Sequence, residues 1–508
     1  MNLDGVREVQ ELLRDALPAG CRDIGRNWIG GAWVDSSGTS FETIDPSTGR
    51  PLHRIAVADE SQVAAATLAA AEAYEAWWAL DGHARATIFW NIAKGIREKR
   101  RELAVLDTLD AGRPLRDTTS RDVERAARIF EFFAGVTDRV RGALIPVAPG
   151  FRNVTVMEPQ GVVGAIIPWN YPLTNAATKL APAMATGNAV VLKPSEETPL
   201  SAMLLAQIAH EAGVPAGVLN VVNGPGATTG EALVRDPRVN KIAFTGSTAV
   251  GRKIAAIAGE GLKSVTLELG GKSPCIVFDD VDVDGAAAAA LFSLVSNQGQ
   301  TCTAATRLVV SRSVQERLLA RMRELALKVR VGNPLDMRTM VGPLISRRQF
   351  ERVQRYIDAG VEEGATKEML DVDWAVENSD GYFVRPTIYT NVGVNMKIHR
   401  EEIFGPVLAV TPFDTEDEAI DLANHSNFGL AGSIWTENLR RAERMSAKLR
   451  TGIVWINAVH ALHPGSPYGG LRESGMGLEM GLEAVTQFMR TKSVWTAVEP
   501  WRSPWAPA

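Results

Sequence analysis

The sequence predicts an α/β protein built from two doubly wound units, and three observations carry that prediction. Between about residues 161 and 269, short apolar runs alternate strictly with helical ones. A second alternation begins near residue 274. Two further strand-like stretches, "RGALIPVAPGFRNVTVMEP" and "TKSVWTAVEP", lie outside both units. A parallel pair of strands needs a long crossover, usually a helix, and such helices cover both faces of the sheet. Buried strands alternating with helices therefore read as parallel, doubly wound sheets.

Taken in order, Leu3, Val6, Leu13 and Leu17 share one helical face and predict a short extra helix ending near Pro18-Ala19-Gly20. Helical patterns follow at about 61–80 and 84–111. "GVVGAIIP" is a buried strand by length and composition, "TNAATKLAPAMATG" a helix stopped by Gly187, and "NAVVLK" a strand. "PLSAMLLAQIAHEAG" is a helix with Pro199 at its start and Gly213 at its end. "VLNVV", "KIAFTG" and "SVTLELGG" are further strands. In the second unit, "CIVF" is a strand, followed by an alanine-rich helix to about 298, the strand "RLVVS" and an amphipathic helix over 313–330. The stretch at 139–159 alternates like a hairpin, free to pair with the tail or with another subunit. Residues 365–382 are polar and weakly patterned and read as a surface loop.

Composition narrows the function classes. A chain of 508 residues allows about three domains of ~150 residues. Hydrophobic residues make up 45% and charged residues 22%, ordinary for a globular protein. The net charge is −5, with both signs interspersed. No basic tract points to nucleic acid or to an anionic membrane. No apolar run reaches the ~18 residues that span a bilayer. The start lacks a signal-peptide core and carries acids, against a transit peptide. Three cysteines give no disulfide framework, so a cytoplasmic setting is expected. No metal site is expected.

Of those three cysteines, Cys275 sits in the strand "SPCIVF" and Cys21 precedes the first strong pattern. A free cysteine is most often a small buried hydrophobe. Cys302 differs, because "SNQGQTCTAATR" surrounds it with small polar residues, and a nucleophile is the competing reading. Ligands of open α/β sheets bind beyond the carboxyl ends of the strands. Five predicted strands end in Trp169-Asn170, in Lys193, Ser195 and Glu196, in Gly224, Gly226 and Gly230, in Gly246 and Ser247, and in Glu268. These ends should converge on one crevice. "GSTAVG" suits a strand–turn–helix junction facing a pyrophosphate, although it is not GxGxxG and tight turns use glycine too. Lys193 and Glu196 fit ribose hydroxyls or an exposed ion pair. Glu268 is a helix cap or a functional carboxylate, and Asn170 before Tyr171-Pro172 is a turn former or an amide donor.

The segments "PWNYPL", "LKPSEETPLSA", "FTGSTAVG", "LELGGKSP", "NQGQTC", "EEIFGPV" and "PYGGLRESGMG", in this order, resemble the aldehyde dehydrogenase superfamily of NAD(P)-dependent enzymes. The resemblance runs from about residue 25 to 495. It implies a cofactor domain (1–138 and 160–270, with 1–20 as the extra helix), a catalytic domain (271–483) and an oligomerisation arm (139–159 and 484–508). A homodimer or homotetramer follows from the same resemblance. It also implies roles: Cys302 as nucleophile, Glu268 as general base, and Asn170 with the Cys302 N–H as oxyanion hole. Lys179 and Glu479 match a proton relay behind Glu268. NAD is the implied cofactor. Lys193, Ser195 and Glu196 would face its adenosine ribose, and Gly246, Ser247 and Val250 its pyrophosphate. Glu402, Phe404 and Gln349 would face the nicotinamide end. Ile167, Pro168, Trp169, Gly226, Gly230, Phe244 and Leu269 would line the remainder. The aldehyde tunnel would be lined by Arg125, Tyr171, Asn175, Thr178, Ser296, Thr301, His460, Leu462 and Tyr468.

The implied chemistry explains the small, polar neighbours of Cys302, since an aldehyde and a nicotinamide must both reach the sulfur. A thiohemiacetal forms, a hydride leaves, and water activated by Glu268 releases the acid. Departures from the family pattern are Thr301 and Thr303 in place of a second cysteine, Leu478 at a frequent arginine position, and a tunnel with few large aliphatic residues. The polar tunnel favours a hydroxylated, carboxylated or aryl aldehyde over a long alkyl one. Three alternatives stand beside this reading. A CoA-acylating enzyme would not need Glu268, a non-catalytic homologue would not need the intact set of Cys302, Glu268 and Asn170, and a cysteine hydrolase would need a crevice histidine.

Overall fold

The alternation between 161 and 269 forms the centre of an eight-stranded sheet. In the computed structural model, which describes residues 3–35, 38–376, 380–503 and 505, five parallel strands lie side by side. Their order is Leu219–Val221, Ala189–Lys193, Val162–Ile166, Val239–Thr245 and Ser264–Glu268. Every residue of Val162–Ile166 and Ala189–Lys193 is buried, which is why these runs are continuously apolar rather than alternating. Asn27–Ile29 closes one edge antiparallel, with Ala32–Val34 outside it. The chain steps outward from Val162–Ile166 to Ala189–Lys193 and Leu219–Val221, then reverses to Val239–Thr245 on the other side. That reversal is a topological switch point, where two crossovers diverge and leave a crevice.

The second unit is a seven-stranded sheet in the order Thr366–Met369, Thr387–Thr390, Val407–Phe413, Arg307–Ser311, Pro274–Val277, Ala431–Trp435 and Ile453–Ile456. All neighbours are parallel except the first pair. Outside both sheets, Phe151–Pro159 pairs with the tail strand Met489–Ala497 along its whole length, and Leu144–Ile145 flanks it. The tail therefore pairs with its own chain's hairpin, which decides between the two pairings left open above.

Four local expectations need correction. The helical stretch 84–111 is two helices, Gly82–Glu98 and Arg100–Ala111, broken at Lys99 with φ −96° and ψ 25°. No glycine or proline marks the break, so the sequence pattern runs through it. The segment 365–382 holds the edge strand Thr366–Met369 and the short strand Asp373–Trp374. An edge strand with wet faces carries polar residues, so its pattern resembles a loop; residues 377–379 of this segment lie outside the described residues. The alanine-rich helix ends at Val295, not near 298. Finally, Gly475–Met476, from the range 271–483 expected in the second unit, completes the first sheet against Ser264–Glu268. The N-terminal helix spans Leu3–Ala16, and Leu13 and Leu17 are buried as predicted. Val6 and Leu3 have side chains outside the described set.

Candidate active site

All five strand ends open into one cavity of about 710 Å³. Ile167, Pro168, Trp169 and Asn170 enter it after the first strand, and Lys193, Ser195 and Glu196 after the second. Gly226 and Gly230 line it after the third, Phe244, Gly246, Ser247 and Val250 at the fourth, and Glu268 and Leu269 at the fifth. The second unit supplies Thr301, Cys302, Gln349, Glu402, Phe404 and Glu479, with His460, Leu462 and Tyr468 from one loop. Arg125, Tyr171, Asn175 and Thr178 complete the lining. Two predicted site residues are not on the wall. Lys179 lies behind it, paired with Glu479. Ser296 ends the alanine-rich helix in an extended conformation (φ −58°, ψ 127°) and does not line the cavity. The chain turns sharply after it, so it is Thr301 and Cys302, not Ser296, that reach the cavity.

The turn answers why amides crowd the cysteine. Asn297, Gln298 and Gly299 are consecutive left-handed residues, with φ of 49°, 57° and 72°. Each non-glycine residue held there is strained. The amides hold the turn in place: Asn297 Nδ2 donates to the Asn170 carbonyl at 2.9 Å and Gln298 Nε2 to the Gly112 carbonyl at 2.9 Å. The Ile345 N–H donates to Gln300 Oε1 at 3.0 Å. A Cβ at Gly299 would meet the Gly405 carbonyl oxygen at 2.3 Å, so glycine is required by space as well as by φ. Asn297, Gln298 and Gln300, polar neighbours that the implied chemistry ascribes to the approach of two substrates, are therefore buried struts tying the turn to both units.

Cys302 is partly exposed to the cavity, whereas Cys21 and Cys275 are buried. Its Sγ lies 3.1 Å from Tyr468 Oη. Burial pushes the thiol up to about 12; the Tyr468 hydrogen bond opposes this, and the charges of Glu402 and Glu268 add to it. Asn170 uses one amide hydrogen on the Gln300 carbonyl at 3.0 Å, and an amide has two, so a second donor remains for an oxyanion. Glu268 is buried, and neither carboxylate oxygen has a hydrogen-bond partner among the described residues. Burial raises its pKa well above the carboxylate range, with the Lys179 charge opposing. An unpaired buried carboxylate is costly, and such groups concentrate at functional sites. Lys179 is pushed down by burial and raised by the Glu268 charge.

The other end of the cavity is suited to a dinucleotide. Lys193 Nζ lies 3.1 Å from Glu196 Oε2 at the end of its strand. Burial would raise Glu196, but Lys193 and backbone N–H groups, including that of Gly226, hold it below the ordinary carboxylate value. Ser247 caps the helix Thr248–Glu260 by accepting from the Val250 N–H, so the positive end of that helix faces the cavity. Glu402 Oε1 accepts from the Gly271 N–H at 2.8 Å, and burial pushes Glu402 up to about 7. Phe404 has φ of 61°, an outlier for a bulky residue, and packs edge-on to Trp169 at 5.2 Å. Gln349 donates to the Ile403 and Phe404 carbonyls at 3.1 and 2.8 Å. Its amide hydrogens thus hold the strained Phe404 turn, leaving only its oxygen for any ribose contact.

In the tunnel, Tyr171 Oη lies 2.7 Å from Thr301 Oγ1, and the Arg113 guanidinium stacks 4.2 Å from the Tyr171 ring centroid. Thr178 turns its hydroxyl back to the Thr174 carbonyl. His460 Nε2 lies 3.1 Å from Ser293 Oγ, its ring stacks on Trp455, and burial with the Arg125 and Arg121 charges pushes it down to about 4. A neutral histidine engaged in this way is poorly placed to activate a thiol. Arg125 is half-buried on the wall, with no ion-pair or hydrogen-bond partner among the described residues. Among the described residues, no group of three or more His, Cys, Asp or Glu side chains could hold a metal ion, and no helix is long and apolar enough to cross a membrane.

Residues 33–494 match the model of the aldehyde dehydrogenase family. The chain belongs to this family. Among its relatives, a betaine aldehyde dehydrogenase of Cereibacter sphaeroides is 43% identical over 93% of this chain and 96% of its own. Aldehyde dehydrogenase 1 of Tanacetum cinerariifolium is 41% identical over 94% and 96%. Among solved structures, PnpE in complex with nicotinamide adenine dinucleotide superposes with a TM-score of 0.92 at 39% identity, covering 94% of this chain and 99% of that one. The indole-3-acetaldehyde dehydrogenase AldA of P. syringae, in complex with NAD+ and IAA, gives 0.92 at 38%, covering 96% and 99%.

Within this aldehyde dehydrogenase, sequence reasoning missed several wall residues. Arg348, Arg352 and Arg355 line the cavity from the helix Arg347–Glu362. Their spacing of four and three places them on one face beside Gln349, a signal present in the sequence. Arg352 is already engaged, donating to the Glu402 carbonyl at 2.5 Å. Thr303, the neighbour of Cys302, also lines the cavity, as do Thr174 and Met480, which nothing in their sequence context marks.

Proposed function

We propose that this cavity oxidises an aldehyde to its carboxylic acid with NAD, through Cys302. The observation that carries the reading is one cavity lined by a partly exposed thiol, the Asn170 amide and a Glu268 carboxyl with no hydrogen-bond partner among the described residues. Lys193, Glu196, the Ser247-capped helix end, Glu402 and Phe404 would hold the dinucleotide, since they offer ribose acceptors and a helix-end anion site in one crevice. Bound there, the nicotinamide supplies the hydride acceptor.

The chain's own residues do the rest. The Cys302 thiolate attacks the aldehyde carbonyl to form a thiohemiacetal, and Asn170 Nδ2 with the Cys302 N–H stabilises the oxyanion. Loss of hydride leaves a thioester on Cys302. Glu268, ionised, takes a proton from water, and the hydroxide releases the acid. The pair Lys179–Glu479 lies behind Glu268 and passes that proton outward. A free acid is favoured over acyl transfer to CoA because Glu268 has the position and environment of a deacylation base. The half-buried, unpaired Arg125 and the neighbouring hydroxyls of Tyr171 and Tyr468 favour an aldehyde with a carboxylated, hydroxylated or aryl body.

We also assign the three domain ranges 1–138 with 160–270, 271–483, and 139–159 with 484–508. The arm presents exposed Leu144, Phe151, Val494 and Trp495, so a second copy of the chain is its proposed partner, in a cytoplasmic homo-oligomer. NADH absorbance with a panel of aldehydes, with and without CoA, tests the activity. Cys302→Ala should abolish turnover and leave NAD binding in place. Turnover retained by that variant overturns the assignment.

A further inference from the structure

Tyr468 has a second feature that a tunnel wall does not require. Its N–H donates to the Glu479 carbonyl and its carbonyl accepts from the Glu479 N–H, both at 2.6 Å. This isolated bridge fixes the tyrosine backbone to the residue that pairs with Lys179. From that fixed point the phenol crosses the cavity to Cys302 Sγ, at 3.1 Å. Cys302 is the only side-chain partner of Tyr468 Oη among the described residues. The charge of the helix residue Arg125, on the same cavity, acts on this phenol.

We propose that Tyr468 is a catalytic residue that donates its phenolic hydrogen to the Cys302 thiolate as it forms, easing its ionisation and aiming the sulfur at the aldehyde. The proposal rests on Cys302 being the nucleophile. With a neutral thiol the bond can run in either direction, but a thiolate can only accept, so the phenol must then donate. Hydrogen bonds to charged groups are the strong ones. The need for such a donor is plain from the surroundings. The charges of Glu268 and Glu402 oppose ionisation of the thiol, and the Lys179 charge acts on Glu268 from behind the wall. No histidine supplies the missing charge, because His460 is engaged with Ser293. Burial, the Cys302 and Glu268 charges and the thiol bond keep the phenol protonated far above its ordinary value, with Arg125 opposing, so it stays a donor through the working range. Once Sγ is bonded to carbon it becomes a weak acceptor, and the phenolic hydrogen is released to the substrate.

The test uses alkylation by iodoacetamide, in which the thiolate sulfur displaces iodide, so no aldehyde or cofactor is involved. The rate at Cys302 is followed by peptide mass from pH 6 to 10 in the full chain. Tyr468→Phe should slow alkylation by about ten- to a hundredfold throughout this range, the sign of a profile displaced upward. The NADH burst should slow by a similar factor, with NAD binding and thermal melting unchanged. An unshifted profile overturns the proposal, even if turnover falls, because the tyrosine would then act on substrate only. If the phenylalanine variant does not fold, 3-fluorotyrosine placed at position 468 serves instead. Its more acidic phenol is the stronger donor and should move the midpoint down; no movement overturns the proposal. Retained turnover in Cys302→Ala would instead refute the underlying reading, so the two failures are distinct.

Discussion

Replacing Glu268 by glutamine removes one proton acceptor and leaves shape, burial and neighbours nearly intact. The carboxyl is 3% exposed and neither oxygen has a hydrogen-bond partner among the described residues. Its pKa is raised by burial, with only Lys179 favouring the charged form. The amide is neutral and cannot take a proton from water. Loss of a general base costs ~10²–10⁴ in rate, or about 3–5 kcal/mol of barrier at ~1.36 kcal/mol per tenfold. In the wild type, turnover should fall as pH drops through the raised pKa, because only the ionised carboxylate is a base. The variant should lose that limb. Stability carries the opposite sign. A carboxyl with a raised folded pKa stabilises the fold below the ordinary carboxylate range of ~4.3, and that contribution is lost as pH rises towards its folded value. The variant should therefore melt less pH-dependently over that window. Stopped-flow NADH fluorescence decides the mechanism. Glu268→Gln should give a burst of NADH near one per site, followed by a steady rate lower by the factor above. Equal loss of burst and steady rate would refute the reasoning, since Glu268 would then be required before hydride transfer.

Asn170→Ala removes a side-chain oxyanion donor and should lower kcat by ~10²–10³ with little change in NAD affinity; titrating both parameters checks it. For the cofactor, a 2′-phosphate near Glu196 meets a like charge costing about 1 kcal/mol in water and about 4 kcal/mol at an effective dielectric of ~20, at ~4 Å. Glu196 is 42% exposed, so the cost falls between these limits. NAD should be preferred over NADP in kcat/KM, and Glu196→Gln should narrow the ratio. Arg125→Met should lower kcat/KM for carboxylated aldehydes about ten- to a hundredfold while sparing alkyl ones; a steady rise with alkyl chain length in both proteins would refute the polar tunnel. Lys179→Met strands the buried Glu479 and should destabilise the fold by about 3–5 kcal/mol, read by urea denaturation.

The sequence alone determined the centre of the first sheet, because Val162–Ile166 and Ala189–Lys193 are buried on both faces and so read as short apolar runs. It also determined the crevice, since strand ends carry whatever chemistry a doubly wound fold performs. Cys302, Glu268, Lys193, Glu196 and Ser247 could be named from their strand ends and motif order alone. Tertiary structure decided what no local pattern encodes. The break at Lys99 arises without a glycine or proline, and the strand Thr366–Met369 looks like a loop because its faces are wet. Gly475–Met476 crosses to the other sheet because strand pairing depends on distant backbone groups, not on its own two residues. The left-handed turn at Asn297–Gly299 moves Ser296 off the wall and brings Cys302 onto it. The meeting of Tyr468 with Cys302 joins residues 166 positions apart. A hydrogen bond needs donor and acceptor within about 3 Å, and only the packing of the two units sets that distance.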